Sequence, residues 1–414
     1  MFYGWYITAA GFLTLMITVG IPFYGMPFFY DYFIREFGWT RAQTSGGIAL
    51  ATVLIQPLAG LLVHRFSTRK LILFGSGMLL VSFVLFSMGD GSLLLYYLAW
   101  CAFMVGYIYS GPLPHQVLLT QWFRRNRGMA IGTAYLGLGL GGAISQKYVA
   151  LPLIQSFGWR TALLLMGASM LLVVPMLLWV VRDRPSDKGL FPDGADGPPP
   201  DSLVPPQTFN ALLRRREFWL LGLGSCASIG AIGSINQHMK LLFQDAGLQA
   251  STVANTTFLI LMSSLAGRIV MGWLADRYSK KVVMLLAFLF VALPVPLLFF
   301  VARPGIPTAF ALVFGFGLGA DYMLIPLMGA QLFGPNSLAR VMGVILPADS
   351  IGQTFCPFLL GLLRDRFGNY QYGVALAFLL ALMGASAIAL LPGRVQPGDL
   401  ATGAAESGNG RMSL

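Results

Sequence analysis

Three ionisable side chains interrupt long apolar stretches in the second half of this sequence. Arg268 lies within the apolar stretch 259–274, and Asp321 and Asp349 lie within two later ones. A charged side chain at membrane depth is costly unless it is paired or faces water, so such residues usually bind a charge or move one. The three side chains therefore predict a site that handles a charged substrate or a proton.

The three residues also lie at similar predicted depths. At ~1.5 Å per helical residue, Arg268 lies roughly 12 Å, Asp349 roughly 14 Å and Asp321 roughly 18 Å from the polar loops on one side. A guanidinium can bind a carboxylate through two parallel hydrogen bonds. We predict that Arg268 binds a substrate carboxylate, that Asp321 neutralises it when the site is empty, and that Asp321 and Asp349 exchange protons. An ion pair that only holds helices together is the structural alternative.

The composition indicates which class of protein surrounds these residues. Of 414 residues, 56% are hydrophobic and only 10% are charged, and the mean hydropathy is +0.72. Soluble proteins carry about 25% charged residues. Apolar stretches of about 20 residues, long enough to cross a bilayer as helices, recur along the whole chain. We predict an all-α, polytopic membrane protein with the lipid bilayer as its main partner.

Several other functions are excluded. The net charge of +11 comes from basic residues in short loops, where they set membrane orientation, so no nucleic-acid binding is expected. Cys101, Cys226 and Cys356 lie far apart in apolar stretches, and neither a disulfide framework nor a metal site is expected. No nucleophile or phosphate-loop motif supports an enzyme. No cofactor is predicted, apart from a proton as the coupling ion.

Twelve membrane helices and one polar linker account for the chain. The predicted domains are an N-terminal six-helix bundle at 1–181, a solvated cytoplasmic linker at 182–216, a C-terminal six-helix bundle at 217–392 and a disordered cytoplasmic tail at 393–414. The predicted helices cover about 5–29, 41–63, 71–88, 92–119, 129–155, 160–181, 217–243, 250–274, 282–302, 306–332, 341–363 and 371–391.

The two halves resemble each other in sequence. The segment 60–65 is echoed by 272–277, at an offset of 212 residues, and Phe123 is echoed by Phe333, at an offset of 210. This pattern predicts two pseudo-symmetric bundles with the substrate site between them near the midplane. Most lysines and arginines fall in loops on the side of both termini. The chain is therefore predicted to lie in the cell (inner) membrane with both termini in the cytoplasm.

Two loops carry a family resemblance. The loops 64–70 and 276–281, which follow helices 2 and 8, resemble the G-x-x-x-D-R-x-G-R-R motif of the major facilitator superfamily. The first loop departs from that motif, with His64 at the acid and Ser67 at the glycine. In this family the loop is a latch of the cytoplasmic gate. The resemblance implies that the latch residues are Arg65, Arg69, Asp276 and Arg277.

Within that superfamily the sequence is similar to monocarboxylate porters and their bacterial relatives, including oxalate/formate exchangers. Helix 8 matches the arginine and glycine of their D-x-x-x-R-x-x-x-G pattern at Arg268 and Gly272, with Ser264 at the acid. The lysine that animal members carry after the helix 1 proline is Phe23 here. Further matching segments are 3–5, 62–66, 122–128, 157–160 and 182–190.

Other polar residues are candidates for the substrate site or its proton pathway. Tyr107 and Tyr109 precede a predicted helix break at 111–114 and could hydrogen-bond the substrate, although packing roles are equally open. His115 follows the break as a proton relay or a packed side chain. The candidates in the later helices are Asn236 and His238 at the outer end of helix 7, Gln353 one turn beyond Asp349, and Lys147, for which snorkelling is the alternative.

Together these features predict a secondary transporter that works by alternating access and carries a small organic monoanion such as lactate or pyruvate with a proton. A carboxylate exchanger and an amphipathic-drug exporter are the alternatives within transport. A membrane sensor that binds without transporting is the alternative from another class. The sequence leaves the oligomeric state open, and a monomer suffices for this mechanism.

Overall fold

The computed structural model describes residues 2–56, 66–195, 197 and 207–392. Twelve main helices follow the predicted order, and ten helical segments in this part of the chain are long and apolar enough to cross a membrane. The helices are α1 Gly4–Phe37, α2 Arg41–Ile55, α3 Thr68–Ser87, α4 Leu93–Trp122, α5 127–157, α6 159–179, α7 Arg216–Asp245, α8 Ala250–Arg277, α9 Lys280–Phe300, α10 Ile306–Phe333, α11 Leu338–Phe367 and α12 Gln371–Ala389.

Local sequence explains where these helices begin and end. Thr40 caps α2 in a capping box with Gln43, in which each side chain satisfies a backbone N–H of the other residue. Ser67 caps α3. Gly158 adopts φ 77°, a left-handed conformation that interrupts the helix and separates α5 from α6. The predicted connection at 156–159 is therefore confirmed.

Several helices are irregular within the predicted membrane region. α4 breaks at Gly111, whose ψ is −150°, directly before Pro112, which confirms the predicted break. α1 contains a π turn at Met16–Gly20. Helix irregularities free backbone groups that must find other partners when the segment is buried. α5 also contains a π turn, at Ser145–Ala150.

The described residues form two compact units. One unit contains Met1–Arg125 and Thr133–Pro198, and the other contains Asn126–Gly132 and Pro199–Leu414. The first turns of α5 thus belong to the second unit. Within the second unit, α7 packs against α11 and α12, α8 packs against α10, and α9 packs against α10 and α12.

Glycines allow close helix packing in the second unit. A Cβ added at Gly315 of α10 would lie 2.5 Å from the carbonyl oxygen of Ile260 on α8, and one added at Gly352 of α11 would lie 2.5 Å from that of Cys226 on α7. No side chain fits at such separations. Backbone-to-backbone contact of this kind is typical of helix pairs in membranes.

Parts of the linker form short helices. A short 3₁₀ helix, Pro185–Lys188, and a short α-helix, Phe209–Arg214, lie within 182–216. Trp122 Nε1 donates to the carbonyl of Arg182 at 2.9 Å, and the backbone N–H of Gln207 donates to Ser337 Oγ at 2.9 Å. These parts of the linker therefore bond neighbouring helix ends, and the solvated cytoplasmic linker stays a prediction. The predicted tail 393–414 lies outside the described residues.

Candidate functional site

The two intramembrane acids of the second unit lie against one face of α7. Ser225 Oγ donates to Asp349 Oδ1 at 2.6 Å, and Ser228 Oγ donates to Asp321 Oδ1 at 2.8 Å. The two serines are three residues apart, so they lie on the same helix face. α10 and α11 thereby deliver one carboxyl group each to the same stretch of α7.

Both carboxyl groups are buried and incompletely bonded. Asp321 is 0% exposed and Asp349 is 2% exposed. The second carboxyl oxygen of each, Oδ2, is buried and has no hydrogen-bond partner among the described residues. A buried ionised carboxylate with one hydrogen bond is strongly disfavoured relative to the protonated group. The arrangement therefore suits carboxyl groups that take up protons.

Arg268 lies on α8 and is partly exposed. Its carbonyl oxygen contacts the start of α5, where a Cβ added at Gly132 would lie 2.9 Å from it. The hydrogen bond that Asp321 accepts comes from Ser228 and not from the expected Arg268. The structure therefore gives the acid a partner on α7 in the conformation described, and the exchange of Asp321 between Arg268 and a proton stays a prediction.

The second motif loop, 276–281, contacts the first turn of α5 through Asp276. Asp276 Oδ1 accepts the backbone N–H of Gly128 at 2.6 Å, and Oδ2 accepts that of Met129 at 2.8 Å. A carboxylate at a helix N-terminus satisfies free N–H groups and interacts favourably with the helix dipole. The guanidinium of Arg277 lies 4.0 Å above the ring centre of Trp273, so it is held on its own helix.

The described part of the first motif loop bonds an acid from elsewhere in the chain. Asp183, just after α6, accepts the backbone N–H of Arg69 at 2.9 Å and the hydroxyl of Ser67 at 2.5 Å. The Arg69 guanidinium donates to the carbonyl of Leu178 at 3.2 Å. Asp183 thus bonds a loop whose sequence lacks the acid of the motif. Arg65 lies outside the described residues.

A polar cluster joins the C-terminal part of α7 to α11 and to the start of α12. His238 of α7 bonds the carbonyl of Pro357 on α11 through Nε2 at 3.1 Å and the hydroxyl of Tyr370, before α12, through Nδ1 at 3.2 Å. Because a carbonyl only accepts, Nε2 carries the hydrogen, and in the neutral ring Nδ1 accepts from Tyr370. His238 lies ten residues, roughly 15 Å, from Ser228. Asn236 and Gln353 are exposed.

The candidates in the first unit pack against their own neighbours. The ring of Tyr107 lies 5.6 Å from that of Phe23, and the ring of Tyr109 lies 6.0 Å from that of Phe74. His115 is buried, and its Nδ1 lies 2.8 Å from the carbonyl oxygen of Gly111. Nδ1 therefore carries the hydrogen and bonds back across the break in α4. The side chain of Lys147 lies outside the described residues.

Sequence reasoning missed three residues that bond the predicted ones: Ser225, Ser228 and Asp183. Serines are frequent in membrane helices, and nothing in their spacing to Asp321 or Asp349 indicates a bond between separate helices. Of the three, only Asp183 has a signal in the sequence, since it is an acid between two arginines directly after a helix.

In the described part of the chain, no group of three or more His, Cys, Asp or Glu could hold a metal ion.

Comparison with known proteins identifies the family. The model of the Major Facilitator Superfamily matches residues 8–357 and, in a second match, 245–410. The chain belongs to the Major Facilitator Superfamily. The family and its fold are those of transporters and not of enzymes, so this is a multi-pass membrane transporter of a small-molecule substrate.

Relatives place the chain near one branch of the superfamily. Human monocarboxylate transporter 11 is 27% identical over 402 residues, covering 92% of this chain and 81% of the relative. Bovine monocarboxylate transporter 13 is 27% identical over 413 residues, covering 94% and 89%. These matches confirm the predicted resemblance to the monocarboxylate-porter branch.

Solved structures confirm the fold. The fucose:proton symporter of Escherichia coli superposes with a TM-score of 0.68 at 16% identity, covering 94% of this chain and 97% of the symporter chain. At that identity the likeness shows the twelve-helix fold alone. The predicted all-α membrane architecture is thereby confirmed, and the substrate is argued from the site.

Proposed function

We propose that this superfamily member is a secondary active transporter of a small organic monoanion, a monocarboxylate such as lactate or pyruvate, and that it carries a proton with each anion. The observation that carries the proposal is a partly exposed arginine, Arg268, inside a membrane helix of a chain whose relatives are monocarboxylate transporters. One fixed guanidinium matches one carboxylate in charge and in hydrogen-bond geometry.

Each polar candidate has a role in this proposal. Arg268 binds the carboxylate, and Asp321 and Asp349 take up and release the proton. Two buried acids with incomplete hydrogen bonding support that assignment. The further substrate contacts that we assign are Tyr107, Tyr109, Asn236, His238 and Gln353, with His115 as a proton relay.

Orientation and gating complete the proposal. The protein lies in the cell (inner) membrane. Both termini face the cytoplasm, because the basic loops lie on the same side as the termini. The latch residues Asp276, Arg277, Arg69 and Arg65 then lie at the cytoplasmic gate. Release of Asp276 from the first turn of α5 is the step that opens this gate during alternating access, and the two bonds to Gly128 and Met129 support that assignment.

Uptake into proteoliposomes tests the proposal. Purified protein should accumulate labelled lactate or pyruvate when the outside is acidic, and collapse of the pH gradient should abolish the accumulation. Arg268→Ala should lower the uptake rate about 100-fold, because a charge-assisted bidentate pair is worth about 3 kcal/mol. Arg268→Lys should recover little of that loss. Arg303→Ala is the matched control, since Arg303 is exposed and stacks on Phe300.

Other outcomes would replace the proposal. Near wild-type uptake by Arg268→Ala would remove the arginine from the substrate site. Exchange of labelled for unlabelled carboxylate that ignores the pH gradient would indicate an exchanger. Absence of carboxylate transport with efflux of amphipathic compounds would indicate an exporter. Carboxylate binding, measured as thermal stabilisation, without counterflow would indicate a sensor.

A further inference from the structure

Two serines of α7 bond intramembrane acids although the sequence gives them no role. Ser225 and Ser228 are 0% and 1% exposed. A serine in a membrane helix commonly bonds a carbonyl of its own helix one turn back, as Ser234 of α7 does to Gly230 at 2.7 Å. Ser225 and Ser228 instead bond carboxyl groups from two other helices. Each of these two hydroxyl groups therefore links α7 to a carboxyl group on another helix.

The spacing of the serines fixes the spacing of the acids. Side chains three residues apart on a helix have Cβ atoms about 5–6 Å apart. Because each serine holds one carboxyl oxygen, Asp321 and Asp349 lie side by side along α7. When one of two carboxyl groups at such a distance in a buried site is ionised, ionisation of the other is disfavoured by the like charge beside it.

We propose that Ser225 and Ser228 are positioning residues that hold Asp349 and Asp321 as one coupled carboxyl pair, which loses its two protons in two separate steps. Each serine fixes the oxygen that accepts its hydroxyl, Oδ1, and leaves the other, Oδ2, as the position for a proton. This role in transport rests on the proposed function, whereas the pair itself rests only on the geometry. Coupled acids titrate as a pair, with two macroscopic steps that belong to neither residue alone.

The surroundings of the pair are mostly apolar. Where α12 packs on α7, Gly384 and Ala387 lie against Gly224, next to Ser225. Where α9 packs on α10, Ala287 and Val291 lie against Gly317. Two thiols lie on the helices that carry the pair: Cys226 of α7, next to Ser225, and Cys356 of α11, which lies against Gly230 of α7. Tyr322 follows Asp321 on α10, and Arg268 lies on α8.

Infrared titration of protonated carboxyl groups tests the pair without any substrate. Purified wild-type protein in detergent should lose two carboxyl bands in separate steps that both Asp321→Asn and Asp349→Asn alter. In Asp321→Asn the remaining Asp349 should ionise in one step, about one pH unit or more below the upper wild-type step, because the neighbouring like charge is gone. A single step in that variant that coincides with the upper wild-type step would overturn the coupling.

Serine variants test the positioning role. Ser228→Ala should move the titration of Asp321 upward by about one pH unit, because a hydroxyl that donates to a carboxylate stabilises its ionised form. Ser225→Ala should do the same for Asp349 and serves if Ser228→Ala does not fold. Ser234→Ala is the matched control and should leave both steps in place. Identical titrations of Ser228→Ala and Ser234→Ala would overturn the proposal.

Transport then separates this inference from the proposed function. The pH midpoint of lactate uptake should rise in Ser228→Ala and stay constant in Ser234→Ala. A protein that titrates as predicted but transports no carboxylate would contradict the proposed function and support the coupled pair. Uptake that depends on Arg268, combined with independent titration of the two acids, would support the proposed function and contradict the coupled pair.

Discussion

The carboxylate of Asp276 accepts the backbone N–H of Gly128 at 2.6 Å. Its other oxygen accepts the next N–H group along the chain, that of Met129, at 2.8 Å. The backbones of Gly128 and Gly272 also approach closely, since a Cβ added at Gly272 would lie 2.7 Å from the carbonyl oxygen of Gly128. The first turn of α5 therefore binds a charged side chain from α8 through its N–H groups, and its backbone packs directly against the backbone of α8.

Removal of that charge should loosen the first turn of α5. In Asp276→Asn one oxygen remains to accept, and the interaction of the charge with the helix dipole is lost, so we expect a cost of about 1–2 kcal/mol. Scanning fluorimetry in detergent should show a melting temperature lower by several degrees. Asp365→Asn, which removes an exposed acid of the same unit, should change it little. Equal melting temperatures for the two variants would contradict the assigned bond.

Two glycine-to-alanine substitutions should change stability in opposite directions, because one glycine lies in the contact of α8 with α10 and the other lies in open space on α3. Gly315→Ala places a methyl group 2.5 Å from the carbonyl oxygen of Ile260, so the helices must separate, at a cost of about 1–3 kcal/mol. Gly77→Ala in α3 meets no atom within 4 Å and should stabilise the helix by about 0.5–1 kcal/mol. Melting temperatures should fall for the first variant and rise for the second. A rise for Gly315→Ala would contradict the close packing.

The contact between His238 and Tyr370 predicts a specific effect of one hydroxyl group. Tyr370→Phe removes the hydrogen bond to His238 Nδ1 and should cost about 0.5–1.5 kcal/mol. Tyr372→Phe is the matched control, because that ring is exposed and lies 4.2 Å from Phe367. In a double-mutant cycle, Tyr370→Phe should have no effect in a His238→Ala background. Additive losses in melting temperature would show that the two side chains do not interact.

Two acids of the linker should protect different backbone amides. Asp183 bonds the N–H of Arg69, and Asp193 bonds those of Arg124 and Arg125 at 2.8 and 2.7 Å. We expect Asp183→Ala to speed hydrogen exchange at Arg69 about 5- to 30-fold, the equivalent of about 1–2 kcal/mol.

The second variant supplies the reciprocal control for the first. Asp193→Gly should speed hydrogen exchange at Arg124 and Arg125 and leave Arg69 unchanged. Glycine is chosen because Asp193 has φ 57°, a left-handed conformation that glycine adopts without strain. Mass spectrometry of the peptides that contain these amides provides the measurement. Exchange rates at all three amides that match wild type in both variants would contradict the assigned bonds.

The sequence by itself determined the membrane class, the twelve helices and the family. Apolar stretches long enough to span a bilayer must satisfy their backbone groups internally, so helices follow from composition and length. The break at 111–114 and the connection at 156–159 also follow from neighbours along the chain. These features depend on one segment at a time, which is why they could be predicted.

Only the tertiary structure decided which side chains bond each other. The sequence predicts Arg268 as the partner of Asp321 because their charges are opposite and their depths are similar, yet the bond comes from Ser228. Depth follows from counting residues, whereas the direction of a side chain depends on the rotation of each helix about its axis. That rotation is set by packing, here by glycines that bring α8 onto α10 and α7 onto α11, and no single segment encodes it.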